Sequence, residues 1–253
     1  MAMEKAQVDY SEDLAAEAKS IKEHSKELRQ RIIYCVAFVG VVFILILSYG
    51  NDYLMNLILN PIRERNIDLI YISLTEALEA KVKVTLLASL IVSFPFIFVQ
   101  VWQFVRPAMY RNERTWFLLI SSTAIMLFMA GITFGYLGVF LATITFFVDL
   151  GANLAKPMLS VSQYVSFMFS FVIPFGLIFE EPLFIYGLCK MGIVNVAMLR
   201  RSRKFMLLII FIVAGFLTPP DVISQIAMAL PMIILYEAGI FVAKQVESSD
   251  LSE

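Results

Sequence analysis

Six apolar runs decide what this sequence can fold into. They cover residues 32–49, 82–105, 116–148, 165–189, 205–217 and 222–243. A helix that crosses about 30 Å of hydrocarbon needs roughly 20 apolar residues. With no water in that layer, every backbone amide must bond inside its own segment, so long apolar runs of this kind become helices. The runs therefore predict an all-α, polytopic membrane protein. Composition agrees: 60% of the residues are hydrophobic, whereas soluble chains hold about 45–50%.

Two runs do not match the bilayer. The third is too long, so its end is expected to tilt or to leave the membrane. The fifth has 13 residues, which at about 1.5 Å each reach only ~20 Å. It must thin the bilayer locally or pack inside protein. The "TPPD" turn at 218–221 follows it. Its prolines stop the helix, and Asp221 can cap the next one. The half-polar segment 51–80 is expected to carry a short amphipathic helix outside the membrane.

Basic residues orient the spans. Six spans with alternating loops place fifteen Lys and Arg on the side of both termini and five on the other. Both ends are therefore expected in the cytoplasm. Residues 1–31 read as a cytoplasmic tail without a cleavable leader, 32–243 as one six-helix membrane domain, and 244–253 as a second tail. A net charge of -1 gives no field for nucleic acid. Two isolated cysteines, Cys35 and Cys189, and the single His24 offer no disulfide framework and no metal site. Neither a cofactor motif nor a catalytic one occurs, so no cofactor and no enzymatic activity is expected.

Four polar constellations stand out against this background. "IKEHSKELRQR" (21–31) precedes the first span, and Glu27 and Arg31 stand four apart, in reach of an ion pair. Its plain reading is a solvated helix start. "WQFVRPAMYRNERTW" (102–116) joins the second and third spans and sets Glu113 between Arg111 and Arg114. The plain reading there is self-compensation and anchoring; the functional one is a carboxylate held for a basic ligand. "FLTPPDVISQ" (216–225) puts Asp221 and Gln225 on one helix face. "FGLIFEEPLF" (175–184) buries two adjacent acids in the fourth run. An acid at that depth costs a few kcal/mol and faces a cavity or a partner. Successive helical residues point about 100° apart. Glu180 shares its stripe with Gly176 and Gly187, which suggests a groove. The Glu181 stripe runs through Ile178, Ile185 and Leu188 and is expected to meet a neighbouring helix or a protein partner. Pro182 should kink the helix beside the pair.

Taken together, "HSKELRQR", "SFPFIFVQVWQFVRPAMYRNER", "SVSQYVSF", "FGLIFEEP" and "FLTPPDVISQ" resemble, in order and at matching spacing, the TatC family, the multi-span core of the twin-arginine protein translocase. The likeness runs from about His24 to Lys244. It implies a cupped six-helix fold with a short fifth span and a concave face open within the membrane. It implies a receptor for signal peptides carrying two consecutive arginines. With small single-span subunits of the TatA/TatB type, such a receptor exports folded proteins on the proton-motive force. The implied signal-peptide site comprises Glu27 and Glu113, with Arg29, Phe104 and Pro107 around them. Glu180 matches the intramembrane acid. Pro220, Asp221 and Gln225 match the last hairpin, near the region that contacts single-span subunits, and Pro61 matches a proline of the first outer loop. A homo-oligomer in the complex and residence in the bacterial inner membrane are further implications. Two positions depart from the family pattern: Glu181, where an apolar residue is usual, and Arg106, where a small residue usually precedes the proline. The residues alone also admit a proton-coupled small-molecule transporter with Glu180 as proton carrier.

Overall fold

A computed structural model of the chain describes residues 2–64, 67, 69–105, 114–151, 158–218 and 221–250. Among these, nine α-helices and one π-helical stretch run in the order expected for a polytopic helical protein. Five helical segments are long and apolar enough to cross a membrane: Ser25–Tyr49, Glu76–Phe104, Leu119–Gly151, Val161–Lys190 and Val222–Glu247. The fifth apolar run forms the second half of a further helix, whose charged start sets it apart from the others.

Helix α1 spans Ala2–Tyr49 without a break. The chain contains neither Gly nor Pro between positions 2 and 39, so nothing separates the polar tail from the first span. Tail and span form one rod. No residue of its apolar window is buried; the helix leans on α3 (Glu76–Val105) along one edge only. Phe38 stacks on Phe96 of α3 with ring centroids 4.4 Å apart.

Gly50 ends that rod and α2 (Asn51–Arg63) follows. It is the amphipathic helix expected in 51–80. Asn51, Met55, Leu59 and Ile62 are its buried residues, spaced three to four apart on one face. Asn51 donates to Thr85 Oγ1 at 2.6 Å. The Ile58 carbonyl, one turn before Pro61, accepts the hydroxyls of Tyr136 and Tyr164 at 3.3 and 3.0 Å. These contacts set α2 across the ends of the spans. We call this side the cap face and the opposite side the tail face.

A buried carboxylate closes the cap. Glu76, 5% exposed at the start of α3, accepts the backbone N–H groups of Ile72, Ser73 and Ser162 at 2.6, 3.3 and 3.0 Å and the hydroxyl of Ser160. The same junction carries a parallel pair of two-residue strands, β1 (Leu69–Ile70) and β2 (Leu159–Ser160). Lys83, two turns along α3, donates to Ser162 and Ser166 at 3.2 and 2.8 Å. The loops before α3 and before α6 (Val161–Ile178) are thus tied to one another.

The over-long third run is helical throughout. It consists of α4 (Arg114–Thr133), a π-helical stretch (Phe134–Phe140) and α5 (Leu141–Gly151). The π turns lie where this segment meets α6. Gly131 and Gly135 bring the two backbones together: a Cβ on Gly131 would stand 2.4 Å from the Phe175 carbonyl oxygen. Gly176 answers from α6, where a Cβ would meet Phe128 and Ile132 at 2.8 and 2.9 Å. Small residues of this kind let helices approach closely where lipid supplies no hydrophobic drive.

The fourth span is broken as its prolines suggest. Helix α6 stops at Ile178 and α7 (Glu181–Lys190) restarts with Pro182 in its first turn. Pro174 sits inside α6 without ending it. Helices α8 (Val196–Leu217) and α9 (Val222–Asp250) form an antiparallel hairpin. Glu247 accepts the first N–H of α8, Arg203 meets Glu237 at 2.6 Å, and the Tyr236 hydroxyl donates to Leu199. Against α7, Gly239 of α9 receives the side chain of Ile185.

Candidate functional site

At the tail face, α1 and α3 build a polar cluster from four side chains. Arg31 binds Glu27 one turn back on α1, through Nε at 3.0 Å and through its terminal nitrogen at 2.6 Å. Both contacts fall on the same carboxylate oxygen, Oε1. The other end of the guanidinium reaches α3. It donates to Gln100 Oε1 at 3.1 Å, to Gln103 Oε1 at 2.9 Å, and at 3.5 Å to the Gln100 carbonyl. The i,i+4 pair expected from "KELRQR" is present, with Arg31 20% and Glu27 39% exposed. A pair this wet contributes about 0.3–0.5 kcal/mol. It leaves a carboxylate held in place and readily re-paired.

Phe104, half-buried, stands on α3 next to Gln103, near the end of that helix. Arg29 is exposed on α1. Glu113, Pro107 and Arg106 lie outside the described residues. The structure thus joins Glu27, through Arg31, to the end of α3 that carries Phe104. Gln100 and Gln103 had no signal in the sequence: two glutamines at the end of an apolar run carry no pattern until a guanidinium from another helix reaches them.

Glu180 occupies the junction of α6 and α7, capping position of the latter. It is 2% exposed, and neither carboxyl oxygen meets a donor at hydrogen-bonding geometry. The glycine groove expected beside it is closed on one side. Gly176 is filled by Phe128 and Ile132, whereas Gly187 has open space around it. The reason is distance along the chain: the residues that fill the Gly176 notch come from α4, which the stripe on α6 does not reveal. Glu181 is half-buried at the start of α7, the helix that packs against α9.

At the cap face, the α8–α9 turn places two of the hairpin residues. Asp221 accepts the N–H of Ser224 at 2.7 Å and caps α9 as expected. Gln225 reaches back to the Phe211 carbonyl at 3.0 Å over Gly215, whose missing side chain makes room for the amide. Gly215, Phe211, Ile212, Phe216 and Gln225 line an open cavity of about 370 Å³. Pro220 lies outside the described residues. A larger concavity of about 670 Å³ separates α5, α6 and the tip of α8. Ser162, Ser166 and Ser170 line one side of it and Phe147, Phe167 and Leu217 are among its apolar walls.

The arrangement has known relatives. The family described as "Sec-independent protein translocase protein (TatC)" matches residues 23–231. A Sec-independent protein translocase protein TatC from Carboxydothermus hydrogenoformans is 39% identical over 231 residues, covering 91% of this chain and 95% of the relative. The protein of the same name from Escherichia coli is 33% identical over 224 residues, 87% and 86% of the two chains. A crystal structure described as the twin arginine translocase receptor TatC superposes with a TM-score of 0.82 at 33% identity, covering 88% of this chain and 99% of that one. With fold, motif order and length all in agreement, the chain belongs to the TatC family of Sec-independent protein translocase proteins.

Proposed function

We propose that this protein is the signal-peptide receptor and core subunit of a twin-arginine translocase, exporting folded proteins on the proton-motive force. The observation that carries the reading is the Glu27 carboxylate. It stands at the tail-face end of two spans and already holds a guanidinium through two N–H contacts. Guanidinium and carboxylate match in charge and in fork geometry, so the same group suits an arginine of an incoming peptide. Glu113 supplies the second carboxylate, Phe104 and Pro107 shape the approach, and Arg29 lies beside it. The hydrophobic part of the signal peptide then follows the apolar helices toward a concave face.

In this reading Glu180 is the intramembrane polar centre. The hairpin around Pro220, Asp221 and Gln225 receives single-span subunits of the TatA/TatB type, and the complex holds several copies of this chain. The fifteen-to-five split of basic residues supports cytoplasmic termini in a bacterial inner membrane. The whole chain forms one membrane domain at 32–243 with short tails.

The test is binding of a twin-arginine signal peptide to the purified full chain in lipid nanodiscs. Glu113→Ala removes one charge-assisted contact worth about 1.5–3 kcal/mol, a loss of roughly 10- to 150-fold in affinity. Glu181→Ala is expected to leave binding within about twofold. Equal effects of the two substitutions would overturn the assignment.

A further inference from the structure

We infer that Arg31 is an internal competitor for the signal-peptide site: it occupies Glu27 while the receptor is empty and withdraws onto Gln100 and Gln103 when a peptide arginine arrives. The inference rests on the reading of Glu27 as a peptide-binding carboxylate.

The geometry gives Arg31 two sets of acceptors. Nε and one terminal nitrogen face Glu27 Oε1, and the other terminal nitrogen faces three oxygens of α3. A guanidinium carries five N–H donors in a rigid fork, so it can release one set and keep the other. The α3 oxygens are neutral amides, a weaker attraction than the carboxylate. Arg31 therefore rests on Glu27 by preference, yet keeps partners when displaced. No charge is left stranded in either state.

Its occupancy blocks one particular ligand geometry. A bidentate arginine needs both oxygens of the carboxylate, and Arg31 holds Oε1. A lone lysine or a passing cation is left with a neutralised, half-occupied acid. Only a ligand whose own fork and neighbouring charge outbid the internal pair opens the site. Because that pair is worth little at 20–39% exposure, the barrier is low enough for a two-arginine ligand to overcome. The device acts on specificity and leaves the fold unaffected.

The test is titration of full-length chain in nanodiscs with a twin-arginine signal peptide and its twin-lysine counterpart. Arg31→Lys keeps the charge but lacks the fork. It is expected to tighten twin-arginine binding by up to about twofold, the most that releasing an exposed i,i+4 pair can return, and Arg31→Gln to tighten it at least as much. Lys26→Gln removes a charge from an exposed neighbour of Glu27 and serves as the field control; it is expected to shift both peptides alike. Arginine side-chain Nε–H resonances of the wild type should show one signal moving when the peptide is added and absent from Arg31→Lys. Unchanged or weaker twin-arginine binding by Arg31→Lys and Arg31→Gln overturns the competitor. If instead Glu27→Gln leaves wild-type binding intact, the parent reading of the site has failed and the competitor falls with it. The two failures are told apart by that one variant.

Discussion

Gly131 offers a sharp test of how the spans hold together. A Cβ there would stand 2.4 Å from the Phe175 carbonyl oxygen, 2.9 Å from Phe179 Cβ and 3.0 Å from Gly176 Cα. Two of those atoms are backbone, so no rotamer change relieves them. Ordinary C···O approach is about 3.3 Å, which means α4 must retreat from α6 by roughly 0.9 Å. Overpacking of this kind costs about 1–3 kcal/mol. Alanine's higher helix propensity returns up to ~1 kcal/mol. Gly187 is the matched control: it is also helical, and nothing lies within 4 Å of the position its Cβ would take. Gly187→Ala should be neutral or stabilising by up to ~1 kcal/mol. The two variants should therefore differ by about 1–3 kcal/mol, read as unfolding free energy in nanodiscs or mixed micelles. The retreat would also strain the Phe94–Phe128 stack, whose centroids lie 3.5 Å apart. If Gly131→Ala proves as stable as Gly187→Ala, the close α4–α6 approach is wrong.

Three further outcomes follow from named contacts. Glu76→Ala removes the acceptor of four donors at the cap, so amide exchange should accelerate at Ile72, Ser73 and Ser162 while the α8–α9 hairpin keeps its protection; uniform exchange across both would contradict the latch. Asp221→Ala takes away the α9 cap and should cost about 1 kcal/mol of hairpin stability, with Asp221→Asn retaining most of it; equal losses in thermal unfolding would remove the capping role. Arg203→Gln breaks the pair with Glu237, whose partners are 45% and 47% exposed, and should change stability by less than ~1 kcal/mol; a larger loss would mean that the pair is far better shielded than it looks.

Much of this architecture can be read from the residues because lipid leaves few choices. The apolar runs became helices, the break beside Pro182 came where its missing N–H demanded it, and Asp221 caps α9 as the turn before it suggested. Glu27 and Arg31 paired because four residues is one helical turn. Other features depend on partners distant in sequence. The notch at Gly176 looks open on α6 alone; it is filled by Phe128 and Ile132, more than forty residues earlier. The strands at 69–70 and 159–160 are too short for any alternation to mark them. Glu76 reads as an ordinary helix-start acid until Ser160 and Ser162 arrive from another loop. The π-helical stretch at 134–140 sits in an unbroken apolar run and follows from its contact with α6, not from local propensity.

The most direct test of the central claim is a cross-linking map. A photoreactive residue is placed singly at positions 27, 113 and 180 of the membrane-embedded chain and exposed to a signal peptide with its arginine pair intact or changed to lysines. The account predicts adducts at 27 and 113 that depend on the arginines. Adducts that ignore the arginine pair, or that form at 180 and at neither of the other two, would contradict it.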